Sequence, residues 1–215
     1  MFEQGEIIKE IGEGILITLN KLNNKPPTVN NTRPITLLNM IRKILPNIVL
    51  ARIHDNIHMY VTPTQSTYRP KRSTLDVVWT YRWIMSMTEK NERELFIMGI
   101  DLSKAFDCDN RTLLMETLEK SLHDEPSELR IIKYLLSNTS LTARLQGVYG
   151  KSFSTTLGIP QGDGLSPALF IIYLQPEVDY HGNNQRQADS TFGKDVLTTH
   201  YADDTNFISK QYFIS

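Results

Sequence analysis

Two strings a hundred residues apart restrict the fold more than anything else in the chain. Leu95–Ile100, LFIMGI, is a continuous apolar run that ends on Asp101, and the short stretches Val196–Tyr201 and Thr205–Ser209 flank Ala202-Asp203-Asp204. The first string predicts a central strand covered on both faces, and the second a hairpin with acids at its turn. Acids at strand ends with no Lys or Arg beside them repel one another once the strands meet, a penalty that a divalent cation removes. Oxygen ligands with few histidines favour Mg2+ or Mn2+ over zinc, and two such ions about 4 Å apart are a general device for in-line phosphoryl or nucleotidyl transfer. The same acids also serve ordinary capping and turn chemistry, and the spacing alone leaves both readings open.

The rest of the chain supplies mixed elements. Gly14–Leu19 reads as a strand, and Asn20–Arg33, rich in Asn, Pro and Lys, as an exposed loop or loose hairpin. Leu37–Met59 is helical by period, with Pro46 expected to end or kink it, and Thr74–Met87 is a second amphipathic helix whose Met and aromatic residues belong to a core. Helices are expected over Arg111–Leu122 and Glu128–Leu136, the first capped by Asp107 and Asp109. A hairpin is expected from Leu141–Leu145 and Ser152–Leu157 around a Gly-Val-Tyr-Gly turn. Ser166-Pro167 opens a helix over Ala168–Val178, and His181–Asp195 reads as an exposed insertion. Strands and helices alternate unevenly, which predicts an α+β fold and not a doubly wound sheet.

Charge is segregated behind a net of -1: residues 1–20 carry -3, residues 21–90 carry +8 and residues 91–215 carry -6. A basic stretch joined to an acidic one suits a protein that grips phosphates with one part and gathers carboxylates around a cation with another. The single cysteine, Cys108, excludes an internal disulfide and a thiolate cluster, and points to a reducing, intracellular compartment. The five histidines are read as structural or solvated. No apolar run spans a bilayer, so no membrane association is expected.

In order along the chain, TRPITLLNMIRKIL at 32–45, QSTYRPKRSTLD at 65–76, GIDLSKAFD at 99–107, GIPQGDGLSP at 158–167 and YADD at 201–204 resemble the fingers and palm motifs of reverse transcriptases of the non-LTR retrotransposon and group II intron type. The resemblance implies a right-hand polymerase fold: fingers over 21–94 after an N-terminal segment, palm over 95–110 and 158–215 with a small antiparallel sheet packed on helices, and 111–157 connecting them. It implies RNA-directed DNA polymerase activity of a retroelement with two Mg2+ (or Mn2+) ions, an RNA template, a DNA or RNA primer, and dNTPs. Asp101, Asp203 and Asp204 then become catalytic metal ligands, with the carbonyl of Leu102 in addition. Backbone amides of Ser103, Lys104 and Ala105 hold the triphosphate, Phe106 packs under the sugar and excludes a 2'-hydroxyl, and Gln161 lies against the incoming nucleotide. Lys21 and Arg33 match the cations that close on the triphosphate. Arg69, Lys71 and Arg72 track the template backbone, and Gly158, Pro160 and Gly162 let the chain approach nucleotide and template.

The sequence departs from the family pattern at Thr67-Tyr68, where a Gly-Phe pair is usual. Eleven residues follow Asp204, so the expectation is a fingers-and-palm portion, with the thumb and other domains of a longer polyprotein absent. Two alternatives stand beside polymerase activity: a fragment that only binds nucleic acid or metal, and an unrelated two-metal nuclease or transposase.

Overall fold

A computed structural model of the chain describes residues 9–21, 28, 31–92, 94–102, 105–186 and 198–209. They form two units, residues 1–55 with 106–169 and residues 56–105 with 170–215.

In the first unit β1 (Glu13–Asn20) and β2 (Thr32–Leu38) form an antiparallel ladder running from Gly14↔Leu38 to Asn20↔Thr32. β1 also pairs in parallel with β4 (Ser140–Leu145), which pairs antiparallel with β5 (Val148–Ser154), giving the order β2-β1-β4-β5. The expected Gly-Val-Tyr-Gly turn is corrected: Val148, Tyr149 and Gly150 already lie in β5. Gln146 (φ 49°) and Gly147 (φ 85°) make the turn, since a two-residue connection needs both residues left-handed to match strand twist.

Helix α1 (Met40–Tyr60) starts three residues later than expected because Leu37 and Leu38 belong to β2, and Asn39 Oδ1 accepts from Arg42 N at 2.7 Å as the helix opens. The helix continues through Pro46, which is buried and forfeits only one backbone donor. Its buried stripe is Arg42, Pro46, Val49, Ile53 and Ile57, whereas Ile41, Ile44 and Ile48 are exposed. The helices of this unit continue with α3 (Ala105–Cys108), α4 (Arg111–Ser121) and α5 (Pro126–Ser137), the last two in contact. Asn110, not Asp107 or Asp109, caps α4, its Oδ1 accepting from Thr112 N at 2.9 Å and Leu113 N at 3.3 Å. Asn110 sits immediately before the first turn, where its short side chain reaches the free amides.

In the second unit α2 (Thr74–Lys90) opens with a capping box, in which Ser73 Oγ accepts from Leu75 N and Asp76 Oδ2 accepts from Ser73 N. Only Ile84 of this helix is fully buried; Leu75, Trp79 and Met85 are exposed, so its Met and aromatic positions are not core in the described residues. β3 (Phe96–Asp101), β7 (Asp204–Ser209) and β6 (Thr198–Tyr201) form an antiparallel sheet in the order β3-β7-β6, against whose β6 helix α2 packs. The expected central strand is therefore an edge strand, with Ile97 and Ile100 46% and 40% exposed. The centre belongs to β7, flanked on both sides, and it is Phe207 and Ile208 that are buried. A continuous apolar run signals full cover only in a parallel sheet sandwiched between helices, and this sheet is antiparallel.

Helix α6 (Ser166–Arg186) takes in His181–Arg186, so the expected insertion is helical at its start; residues 187–195 and 196–197 lie outside the described residues. Asp163 fixes its start in place of Ser166: Asp163 Oδ1 accepts from Leu165 N, Ser166 N and Ser166 Oγ at 3.1, 2.8 and 2.7 Å. A carboxylate that only accepts suits a helix N-terminus better than a hydroxyl already donating to the Pro160 carbonyl at 2.6 Å.

Candidate functional site

Asp204 opens the central strand of the three-stranded sheet and stands in register with Asp101 on one side and Tyr201 on the other. Residues directly opposite in antiparallel strands share a face, with Cβ atoms about 4.5–5.5 Å apart. Two residues along the same face the row is Gly99, Asn206 and Thr199. Asp203 is in the turn between β6 and β7, beside Ala202, whose left-handed φ of 56° the tight reversal demands. The turn is buttressed from outside the sheet. Gln65 Oε1 accepts from Ala202 N at 3.4 Å and Thr67 N at 3.1 Å, and the His200 main chain bonds to Thr64 O at 3.1 Å and Ser66 N at 3.0 Å. Gln65, absent from the sequence expectations, thus ties the basic string 65–72 to the acidic turn.

A cleft of about 520 Å³ opens over this face, lined by Gly99, Asp101, Tyr201, Asp204 and Asn206 of the sheet and by Val77, Val78 and Tyr81 of α2. Tyr81 Oη and Thr199 Oγ1 are 3.1 Å apart. The Asp204 carboxyl is held above the ordinary carboxylate range by desolvation, then by the charges of Asp203 and Asp101. Three mutually repelling carboxylates with exposed or half-exposed side chains fit a hard divalent cation by donor chemistry, because the ion offsets that repulsion. Among the described residues no group of three or more acidic, imidazole or thiol side chains is already gathered for a metal ion. Leu102 follows Asp101 and is 37% exposed.

The remaining expected residues divide between the two units. Ser103 and Lys104 lie outside the described residues; Ala105 and Phe106 begin the short helix α3. In the first unit Phe106, Asp107, Arg111, Pro160 and Gln161 line a second cleft of about 210 Å³. Gln161 Nε2 donates to Asp107 Oδ1 at 3.0 Å, and its carbonyl accepts from Thr36 N at 2.8 Å. Lys21 and Arg33 are exposed at the end of the β1–β2 ladder where residues 21–31 join the strands, and Lys21 N donates to Asn31 O at 3.1 Å.

The two glycines are explained by the chain's own packing. Gly158 has φ of 75°, and a Cβ there would lie 2.8 Å from the carbonyls of Phe106 and Asp107; a Cβ at Gly162 would lie 2.1 Å from the Thr36 carbonyl. Arg69, expected on the surface, is 9% exposed and turned inward. Its guanidinium donates to the carbonyls of Thr62 at 2.6 Å and Val61 at 3.3 Å and meets the His58 ring. Burial lowers its pKa, with Arg72 adding to the effect. Lys71 and Arg72 are exposed, Lys71 with a left-handed φ of 60°.

Three further polar groups, Arg42 and Asp109 buried and Arg111 half-buried, take places that residue order alone does not show. Arg42, 1% exposed, donates to Leu135 O at 2.8 Å, Ile11 O at 3.1 Å and Thr139 Oγ1 at 3.1 Å. Arg111 donates to the carbonyls of Thr155, Leu136, Gly158 and Leu157 at 2.5–3.1 Å, holding the segment that leads to Gln161. Asp109 is buried, with no partner for Oδ2 among the described residues, and its carboxyl is pushed up to about 7 by burial and then by Asp107. No helix among the described residues is long and apolar enough to cross a membrane.

Residues 22–212 match the reverse transcriptase (RNA-dependent DNA polymerase) family. The chain is similar to the RNA-directed DNA polymerase from mobile element jockey of Drosophila melanogaster, 24% identical over 200 residues that cover 91% of this chain and 21% of the relative. It is similar also to the Pol polyprotein from type-1 retrotransposable element R2 of Popillia japonica, 26% identical over 142 residues, 66% of this chain and 20% of the relative. A 149 kDa protein of transposon TX1 from Xenopus laevis is 23% identical over 81% of this chain and 13% of that protein. The chain thus spans about a fifth or less of these relatives. Among solved structures, apo telomerase from Candida tropicalis truncated from its C-terminal domain shares the fold with a TM-score of 0.70 at 14% identity, covering 96% of this chain and 45% of that one. Telomerase of the same organism with a fragment of telomeric RNA gives 0.62 at 14% identity, covering 96% and 37%.

Proposed function

The chain belongs to the reverse transcriptase (RNA-dependent DNA polymerase) family, and from that premise we propose that it carries the nucleotidyl-transfer centre of a non-LTR retroelement polymerase, copying RNA into DNA. The observation that carries this reading is the register of Asp101 against Asp204 on adjacent strands, with Asp203 in the turn that joins them to β6. Residues 21–94 act as fingers and 95–110 with 158–215 as palm, linked by 111–157, with no thumb among them.

Asp101, Asp203 and Asp204, with the carbonyl of Leu102, would hold two Mg2+ or Mn2+ ions, which would supply Lewis-acid activation of a primer 3'-hydroxyl and charge to offset the pyrophosphate leaving group. The chain's own groups do the rest. Amides of Ser103, Lys104 and Ala105 hold the triphosphate, with Lys21 and Arg33 adding charge-assisted contacts. Phe106 fills the space a 2'-hydroxyl would need and so selects dNTPs. Gln161, with Gly158, Pro160 and Gly162 shaping its loop, contacts the incoming nucleotide. Lys71 and Arg72 follow the template phosphates without reading sequence, and Arg69 anchors their loop from within.

The test is extension of a DNA or RNA primer on an RNA template with Mg2+ and dNTPs. Wild type is expected to extend it, and Asp203→Asn to lose at least about a thousandfold in rate. The small share of the relatives that the chain spans favours, as a second reading, a piece that binds primed template without extending it. Retention without extension supports that reading, and cleavage without dNTPs supports a nuclease.

A further inference from the structure

We propose that Asp107 is a positioning residue that decides which end of the Gln161 carboxamide faces the cleft, so that Gln161 meets a bound nucleotide as a hydrogen-bond acceptor. The proposal rests on the reading of Gln161 as a nucleotide contact. It begins from one bond, the 3.0 Å contact of Gln161 Nε2 with Asp107 Oδ1. A carboxylate only accepts, so the nitrogen end must be the one turned to Asp107, and the oxygen Oε1 is the end left for the cleft. An amide without such a partner could present either end.

The main chain around Gln161 is fixed independently. Its carbonyl accepts from Thr36 N, Gly162 lies against the Thr36 carbonyl, Ile159 N donates to Phe106 O at 2.7 Å, and Gly158 N donates to Asp109 O at 2.9 Å. With the backbone clamped, the direction of the carboxamide is the freedom that remains, and Asp107 removes it. Arg111, the cation lining the same cleft, does not compete for Asp107, because its nitrogens are committed to four main-chain carbonyls and to Thr155 Oγ1.

The experiment is titration of the chain with dTTP and Mg2+, followed by calorimetry, for wild type, Asp107→Asn, Gln161→Glu and the two substitutions together. Asp107→Asn frees the amide to turn, and Gln161→Glu sets two carboxylates against each other; each is expected to weaken dTTP about tenfold. The paired substitution restores one donor against one acceptor and keeps a carboxylate oxygen toward the cleft, so its affinity should return to within about threefold of wild type. A merely structural role for Asp107 would make the losses add. In NMR spectra of wild type without nucleotide, one Gln161 side-chain amide proton should show a hydrogen-bonded shift that Asp107→Ala removes. Wild-type affinity in Asp107→Asn, or additive losses in the pair, overturns the proposal while leaving the nucleotide reading standing. A wild-type chain that binds no dTTP overturns that reading, and the proposal with it.

Discussion

Asp101 and Asp204 stand directly opposite each other across the β3–β7 ladder, the last residue of one strand against the first of the next. Like charges so placed oppose pairing until something neutralises them. Asp101→Asn is therefore expected to raise stability without divalent ions by about 0.5 kcal/mol, and to abolish the rise in Tm that Mn2+ gives wild type. Thermal melts with and without Mn2+ check this; an undiminished Mn2+ shift in both Asp101→Asn and Asp203→Asn would rule these carboxylates out as ligands.

Arg42 is a buried tie in the first unit, its guanidinium joining the segment before β1, α5 and the residue leading into β4. Arg42→Met keeps the stem and removes the donors to Ile11 O and Thr139 Oγ1, while Leu135 O keeps the Thr139 hydroxyl as a donor at 2.9 Å. The expected cost is about 3–5 kcal/mol in urea unfolding.

Gly162→Ala would place a methyl 2.1 Å from a main-chain carbonyl that cannot swing aside. A loss of about 2–4 kcal/mol is expected from the forced backbone shift, together with weaker nucleotide binding as Gln161 leaves its place. Gly147→Ala is the control: it has a left-handed φ but open space, and should cost about 1 kcal/mol.

Two buried groups give the chain opposed pH dependences. Asp109 titrates at about 7 in the fold against 3.8 when free, so the folded chain holds its proton more tightly. That stabilisation is complete below about pH 4 and lost as pH rises through 7. His200 is lowered from 6.5 to about 4 by burial, so its contribution is complete above 6.5 and lost as pH falls through 4. Asp109→Asn should leave stability rising steadily with pH over that window, and His200→Gln should leave it falling. Urea unfolding at about pH 5 and about pH 8 separates the two.

Arg69 and Lys71 should separate cleanly in nucleic-acid binding. Lys71→Ala is expected to weaken binding evenly across template sequences and to reduce the slope of log affinity against log salt by about one. Arg69→Ala removes a buried anchor and should appear first as lost stability, about 2–3 kcal/mol, measurable without any template.

Local patterns marked the elements well where one neighbourhood of residues suffices. The strand over Gly14–Leu19, the helix from Thr74 and the strands around Ala202-Asp203 depend on residue types within a few positions of each other, and the order of acids and glycines in the five strings was enough to point to the family. The helix through Pro46 and the two-residue turn at Gln146-Gly147 were missed because single breakers and turn glycines weigh locally, while burial and strand twist decide.

The sequence by itself determined which acids lie at strand ends, where the basic string runs and which family those strings belong to, because each is a property of residue type and order. Tertiary structure alone decided that β7 and not β3 holds the centre of the sheet, that Arg69 and Arg42 are interior ties, that Gly158 and Gly162 serve the protein's own close packing, and that Asp107 meets Gln161. These depend on which main-chain carbonyls and carboxylates come within hydrogen-bond reach from distant parts of the chain. Charge and polarity along a sequence do not specify that; only the burial of those groups, and the cost of leaving them unpaired, does.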